Sequence, residues 1–160
     1  MSLSREHRRA QGEAAEARFR AWLDRCALPH IFVEQSPFTI PATLRGEIKR
    51  PDFLVGIPAI GAIAVDVKAK SVYRDAIIID EYEHRTLTNF ELFFSMSVWF
   101  ACFPPDEPHT CHLFLNRNLA GLPVATVKDR KAITVPLTAG KLADERREFM
   151  AAIVGAISLR

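Results

Sequence analysis

The sequence predicts an α/β domain with a central mixed β-sheet flanked by helices. Along the chain, an amphipathic helix precedes several short apolar segments, and a second helix precedes two further strands. Of the 160 residues, 49% are hydrophobic and 25% are charged, a balance typical of one globular domain with its own core. We therefore expect a single domain over residues 1–160.

Two helices are predicted from their caps and from the spacing of their apolar residues. Ser4 can cap a helix that ends near Arg25, in which apolar residues recur at helical spacing. Asp80, with Glu83 three residues later, resembles a capping box that opens a second helix through about Ser95. Each helix should lie with one face against the core.

Short apolar runs between turn residues indicate the strands. They are residues 31–40 (one strand or two extended pieces), 52–57, 62–69, 98–103 and 111–115. The turn at 58–61 is short enough for an antiparallel hairpin. The run 98–103 is apolar throughout, which is typical of a strand covered on both faces.

The C-terminal part of the chain predicts a small hairpin and a last helix. The hairpin would join residues 124–127 and 132–135 across Asp129-Arg130. Thr138 is expected to cap the helix. The residues expected to face inward from this helix are Leu142, Phe149, Met150, Ile153 and Ile157.

Composition and missing motifs exclude several classes of protein. The longest uncharged run, residues 53–65, is shorter than a membrane span and is interrupted by glycine and proline, so no membrane partner is expected. The N-terminus lacks the apolar segment of a secretory signal, and the three cysteines form neither a CxxC pair nor zinc-finger spacing. We expect a cytoplasmic protein with reduced cysteines. Motifs for nucleotide phosphates, dinucleotides, zinc peptidases and serine hydrolases are absent from the sequence.

One predicted strand carries two charged residues on a single face. Because side chains alternate along a strand, Asp66 and Lys68 point away from the face that carries Val65 and Val67. Burying unpaired charge in the middle of a sheet is expensive. The pattern therefore requires a partner, a cleft or a metal ion.

A second carboxylate, Asp52, stands at the start of the preceding strand. An antiparallel hairpin would bring it beside the end of the strand that carries Asp66. Two carboxylates, together with waters and a phosphate oxygen, are the ligands that Mg²⁺ prefers. Lys68 would then donate to the attacking water or to a non-bridging phosphate oxygen.

These residues resemble a known signature. Pro51-Asp52, thirteen further residues and then Asp66-Val67-Lys68 in an apolar strand are similar to the motif of the PD-(D/E)XK nuclease superfamily. The order of elements over about residues 10–115 (helix, three strands, helix, two strands) resembles the restriction-endonuclease-like core, with residues 121–160 as an extension. The resemblance implies a Mg²⁺-dependent endonuclease acting on DNA in repair, recombination or defence.

A glutamate on the first helix joins the metal site in the branch of that family that contains archaeal Holliday junction resolvases. It usually follows a glycine, and Gly12 to Glu16 is similar. At 100° per residue Glu16 lies at the edge of the apolar stripe, whereas Glu13 lies further toward solvent, so we favour Glu16.

The resemblance also implies roles and partners. Asp52 and Asp66 would bind Mg²⁺ (with Mn²⁺ as a substitute), Glu16 would be an accessory ligand or would position water, Lys68 would be the catalytic lysine, and the Val67 carbonyl would also bind the metal. DNA is preferred to RNA by resemblance alone, and RNA is not excluded. Homodimers are frequent in that branch, but nothing in the sequence identifies an interface.

Basic residues cluster on the segments around the proposed site, as expected of a rim that contacts phosphates. Those expected to bind nucleic acid are Arg45, Lys49, Arg50, Lys70 and Arg74. Two alternatives stay open. Asp66 and Lys68 would form ion pairs with Asp52 and Arg50 on a solvated sheet face in an inert protein. Otherwise, the fold would bind nucleic acid or a protein partner without catalysis.

Overall fold

Three α-helices and two β-sheets are present in residues 4–36 and 40–157, which are the residues that the computed structural model describes. In chain order the elements are α1 (Arg5–Arg25), β1 (His30–Phe32), β2 (Phe53–Ile57), β3 (Gly61–Lys68), β4 (Ala76–Asp80), α2 (Glu81–Phe94), β5 (Val98–Cys102), β6 (Thr110–Leu115), β7 (Val124–Val127), β8 (Arg130–Pro136), β9 (Lys141–Asp144) and α3 (Phe149–Ile157).

The larger sheet is mixed. Its described strands lie in the order β1-β2-β3-β5-β6-β9, and β3 and β5 run parallel while the other neighbours run antiparallel. The predicted β2–β3 hairpin is confirmed, with Phe53 opposite Val65 and Val55 opposite Ile63. The smaller sheet, β4-β8-β7, is antiparallel. The predicted fold class, a mixed sheet flanked by helices, is confirmed.

Each face of the larger sheet is covered by its own core. On one face, Val65 and Val67 pack in a cluster with Phe19 of α1 and Phe149 of α3. On the other face, Ala64 packs in a cluster built from α2, β5 and the smaller sheet. All positions of β5 are buried, as predicted for a strand covered on both faces.

The first two helices begin at the predicted caps. The Ser4 hydroxyl accepts a hydrogen bond from the His7 amide, and the Asp80 carboxylate accepts one from the Tyr82 amide. The predicted capping box is wrong in its second half, because the Glu83 side chain contacts two lysines instead of returning to the helix start. Within residues 4–36 and 40–157, no helix is long and apolar enough to cross a membrane.

Two extended segments differ from the prediction. In the region predicted as a strand at 31–40, the strand is limited to His30–Phe32, and residues 37–39 lie outside the described residues. The strand Ala76–Asp80 is not among those predicted, although its three consecutive isoleucines favour β structure. The run is short and ends directly in a helix cap, so its role depends on pairing with the distant β8.

The hairpin near the C-terminus is present, but its turn lies one residue earlier than predicted. Lys128 and Asp129 form it, and both have positive φ, 48° and 63°, as a two-residue turn between twisted strands requires. Through β8 this hairpin joins β4 in the smaller sheet.

The predicted start of the last helix is wrong. Residues 141–144 form the edge strand β9, where Ala143 is buried and Leu142 is exposed, and α3 begins only at Phe149. Gly140 explains the close approach of this segment, because a Cβ there would lie 2.5 Å from the Leu113 carbonyl oxygen. Phe149 and Ile153 are buried as predicted, whereas the side chain of Ile157 lies outside the described residues.

Candidate active site

Asp66 lies at the centre of a charged cluster between β3 and α2. None of its surface is exposed. Its Oδ1 accepts a hydrogen bond of 2.8 Å from Lys49 Nζ. Its Oδ2 lies 2.6 Å from Lys68 Nζ, an ion-pair distance, without the geometry of a hydrogen bond. The alternative of a solvated sheet face is therefore wrong, since Asp66 is buried and its partners are the two lysines.

Glu83 supplies the second carboxylate of this cluster from the first turn of α2. Its Oε1 accepts hydrogen bonds from Lys49 Nζ at 2.9 Å and from Lys68 Nζ at 2.8 Å. Two ammonium groups thus balance two carboxylates. This balance offsets the cost of removing four charged groups from water.

The pKa values of Lys68 and Glu83 reflect this pairing. Burial, the largest influence, lowers the pKa of Lys68, but Asp66 and Glu83 together hold it well above its ordinary value. Burial likewise raises the pKa of Glu83, yet Lys68 and Lys49 outweigh it and lower the pKa to about 2. Both groups are therefore charged at neutral pH.

Asp52 lies beside the strand that carries Asp66 and Lys68. Its amide donates to the Val65 carbonyl at 3.0 Å, and its Oδ2 accepts a hydrogen bond of 2.7 Å from the Val67 amide. Burial, followed by the negative charge of Asp66, raises the pKa of Asp52 to about 7, although Lys68 and the Val67 amide oppose this shift. The hairpin thus brings the two aspartates close enough to repel each other.

Glu16 approaches the same region from α1. It is half-buried, and burial, followed by the charge of Glu13, raises its pKa, while Asp66 and Lys68 also act on it. Glu13 is exposed and forms an ion pair of 2.8 Å with Arg9. Of the two glutamates, Glu16 is therefore the one that is half-buried and not held in that surface ion pair.

The resemblance found in the sequence implies a divalent cation, and the observed carboxylates can be compared with that requirement. The mutual repulsion of Asp52 and Asp66 would be relieved by a cation, and carboxylate oxygens are the ligands that Mg²⁺ prefers. Among residues 4–36 and 40–157, no group of three or more His, Cys, Asp and Glu side chains is placed to hold a metal. By the chemistry of their oxygens, Asp52 and Asp66 would suit a cation whose other ligands are water and substrate oxygens.

The five basic residues predicted to bind nucleic acid occupy different environments. Lys49 lies inside the charged cluster, whereas Arg45 and Arg74 are exposed. Arg74 also lies over the ring of Tyr73 at 5.2 Å. Lys70 is half-buried. Arg50 is half-buried and donates to the Ser36 carbonyl.

Sequence reasoning missed the part that Glu83 plays and placed Lys49 on the rim. One signal for Glu83 was present, because it stands four and seven residues before Leu87 and Phe90, on the inner stripe of α2. A charged residue in such a stripe predicts a buried partner. For Lys49 no signal exists in the sequence, because its place depends on how a distant segment packs on α2.

This chain has the PD-(D/E)XK, or restriction-endonuclease-like, fold. Its mixed sheet lies between helices, and Asp66 and Lys68 lie on β3, which forms a hairpin with the strand that follows Asp52. A solved structure with this fold that is similar to the chain is Hjc from Archaeoglobus fulgidus, a Holliday junction resolvase from an archaeal hyperthermophile. The two share 17% sequence identity with a TM-score of 0.52, over 77% of this chain and 88% of that one. No protein-family model and no curated protein matches the sequence.

Proposed function

We propose that this protein is a nuclease that hydrolyses phosphodiester bonds of DNA with the help of a divalent cation. The observation that carries the proposal is the buried Asp66, in contact with Lys68 and beside Asp52. The fold is that of a resolvase, which supports a nuclease of this kind.

The roles proposed for the side chains follow from their contacts. Lys68, charged and oriented by Asp66 and Glu83, donates to a non-bridging phosphate oxygen or to the attacking water. Asp52 and Asp66 would hold the cation, and Glu16 and the Val67 carbonyl would be accessory ligands. Mg²⁺, or Mn²⁺ in its place, polarises the phosphoryl oxygen and acidifies bound water when it is present.

Substrate binding is assigned to the basic rim. Arg45 and Arg74 are exposed and Lys70 is half-buried on the segments that flank the site, where they can contact phosphates on either side of the scissile bond. Arg50, half-buried and bonded to the Ser36 carbonyl, is assigned to the same rim. DNA as the substrate and a homodimer as the active form are supported by the likeness to a resolvase.

The free cysteines support a cytoplasmic setting.

The test is a cleavage assay in Mg²⁺ and in Mn²⁺ on duplex, single-stranded, flapped and four-way-junction DNA. Wild type is compared with Asp66→Asn and Lys68→Ala, and Arg9→Ala serves as a control in an exposed ion pair. We expect cleavage by wild type and by the control, and a loss of at least about 100-fold in both site variants. Equal cleavage by all four proteins would refute the proposed site.

A second candidate function is a nuclease-fold protein that binds DNA without cutting it. It is favoured by one observation, that two ammonium groups already contact Asp66. Titration calorimetry with Mn²⁺ separates the two functions. A protein that retains DNA in EDTA, binds no Mn²⁺ and cuts nothing would have this second function.

A further inference from the structure

We propose that Glu83 is a positioning residue that holds a second lysine, Lys49, beside Lys68, so that both ammonium groups bind the scissile phosphate. This inference rests on the proposed function and assigns a role within the same site. Glu83 would touch neither the metal nor the substrate, and would act through the two lysines.

The distances within the cluster support a pair of lysines. Lys49 Nζ lies 2.8 Å from Asp66 Oδ1 and 2.9 Å from Glu83 Oε1. The same Glu83 oxygen lies 2.8 Å from Lys68 Nζ. Because one oxygen accepts from both ammonium groups, their nitrogens lie within two hydrogen-bond lengths of each other. This spacing suits the two non-bridging oxygens of one phosphate.

The backbone that carries Lys49 is fixed by the same helix that carries Glu83. The Tyr82 hydroxyl donates to the Gly46 carbonyl at 2.9 Å, and the Lys49 amide donates to the Thr86 carbonyl at 3.3 Å. A third bond, 2.7 Å long, runs from Nδ2 of the Asn89 side chain to the carbonyl of Glu47. Helix α2 therefore holds both the backbone of residues 46–49 and the Lys49 ammonium group, as expected if the position of Lys49 matters for function.

Both lysines keep donors for a substrate. An ammonium has three N–H donors, and each lysine here contacts two carboxylates, so at least one donor on each is left. The Lys49 side chain is 26% exposed and that of Lys68 is 14% exposed, so a phosphate can reach them. A donor to each non-bridging oxygen would stabilise the charge that develops during phosphoryl transfer.

The experiment measures cleavage in single turnover at saturating DNA, and DNA affinity separately in EDTA. We expect Lys49→Met to lower the cleavage rate by on the order of 100-fold and Glu83→Gln by about tenfold. DNA affinity should change less than about threefold in either variant, because the loss falls on the transition state. Lys49→Arg, which keeps the charge, should recover part of the rate.

The control and the second variant make each outcome decisive. Arg146→Gln removes an exposed charge that pairs with Asp144 at the end of β9, three strands from β3, and should cleave like wild type. In the Lys49→Met, Glu83→Gln double variant, the loss should be smaller than the product of the two single losses, because part of the effect of Glu83 passes through Lys49. If Lys49→Met fails to fold, Lys49→Arg and Glu83→Gln decide the question.

Failure of this inference is distinguishable from failure of the proposed function. If wild type cleaves no DNA in Mg²⁺ or Mn²⁺, the proposed function is overturned and this inference with it. If wild type cleaves and the Lys49 and Glu83 variants cleave at its rate, only this inference is overturned. A loss of affinity in Lys49→Met with an unchanged saturated rate would make Lys49 a rim contact and would also overturn it.

Discussion

The carboxylate of Asp52 accepts a hydrogen bond of 2.7 Å from the amide of Val67, the residue between Asp66 and Lys68. The Asp52 side chain is thereby fixed to the backbone that carries Asp66 and Lys68. This contact holds Asp52 at the end of the hairpin that carries Asp66. Burial and the charge of Asp66 raise the pKa of Asp52 to about 7, although the bond to Val67 opposes the shift.

The raised pKa of Asp52 predicts that Asp52→Asn is more stable than wild type at high pH. Between pH 3.8 and about 7 the unfolded chain releases the proton of Asp52 while the folded chain keeps it, so the stability of wild type falls as pH rises through that window. Asparagine removes the charge and keeps an oxygen for the Val67 amide. Thermal melts in EDTA near pH 8 should show a Tm at least about 4 °C above that of wild type.

The pH dependence of this gain is its control. Near pH 4 the two proteins should melt within about 1 °C of each other, because Asp52 is then protonated in the folded wild type. Asp129→Asn, in an exposed turn, should match wild type at both pH values. An equal gain at both pH values would contradict the assignment of the effect to the charge of Asp52.

Removing Lys68 is expected to destabilise the fold as well as the site. Lys68→Met leaves Asp66 with one ammonium partner and Glu83 with one, both in buried or half-buried positions. Breaking a buried ion pair from one side costs about 3–5 kcal/mol of the free energy of unfolding. Urea denaturation in EDTA measures this cost. Arg9→Ala, which breaks an exposed pair, should unfold at nearly the same urea concentration as wild type, and equal losses of stability in the two variants would contradict the prediction.

The basic rim is expected to make DNA affinity depend on salt concentration. If Arg45 and Arg74 contact phosphates, changing either to alanine should reduce the slope of log affinity against log salt concentration by about 1. Lys141, on β9 and three strands from β3, is the control and should leave the slope unchanged. Fluorescence anisotropy over a salt series in EDTA provides the slopes. Unchanged slopes in both arginine variants would show that DNA does not bind along this rim.

Two glycines should respond in opposite ways to substitution by alanine. A Cβ at Gly140 would lie 2.5 Å from the Leu113 carbonyl oxygen, so Gly140→Ala should displace β9 and cost about 1–3 kcal/mol. Gly12 lies in α1, and a Cβ there meets nothing within 4 Å, so Gly12→Ala should stabilise the protein by about 0.5–1 kcal/mol. Chemical denaturation of the two variants gives both values, and a Gly140→Ala variant as stable as wild type would contradict the packing described for Gly140.

The sequence predicted the elements whose signals are local. Periodicity and caps located α1 and α2, and alternation located β2 and β3 with their antiparallel pairing. That pairing brought Asp52 next to Asp66, because a short turn leaves little choice of register. Lys68 followed from Asp66 by the period of a strand.

The rest depends on contacts between distant parts of the chain. Four residues from Lys141 to Asp144 fit either a helix turn or a strand, and their pairing with β6 decides for the strand. Lys49 enters the charged cluster because its segment lies on α2, a contact that no local pattern encodes. Glu83 fits two local patterns, the capping box and the inner stripe of α2. Its ion pair with the buried Lys68 outweighs the helix cap.

The burial of Asp66 constrains how this chain can change during evolution. Since Lys49, Lys68, Asp66 and Glu83 neutralise one another, losing any one of them leaves an uncompensated charge inside the protein. In a descendant without the proposed catalysis, a single substitution in this group would still destabilise the fold. Such a descendant would keep all four residues or exchange them together for apolar ones of similar volume. Inactive proteins with this fold should therefore be recognisable because all four residues are replaced together.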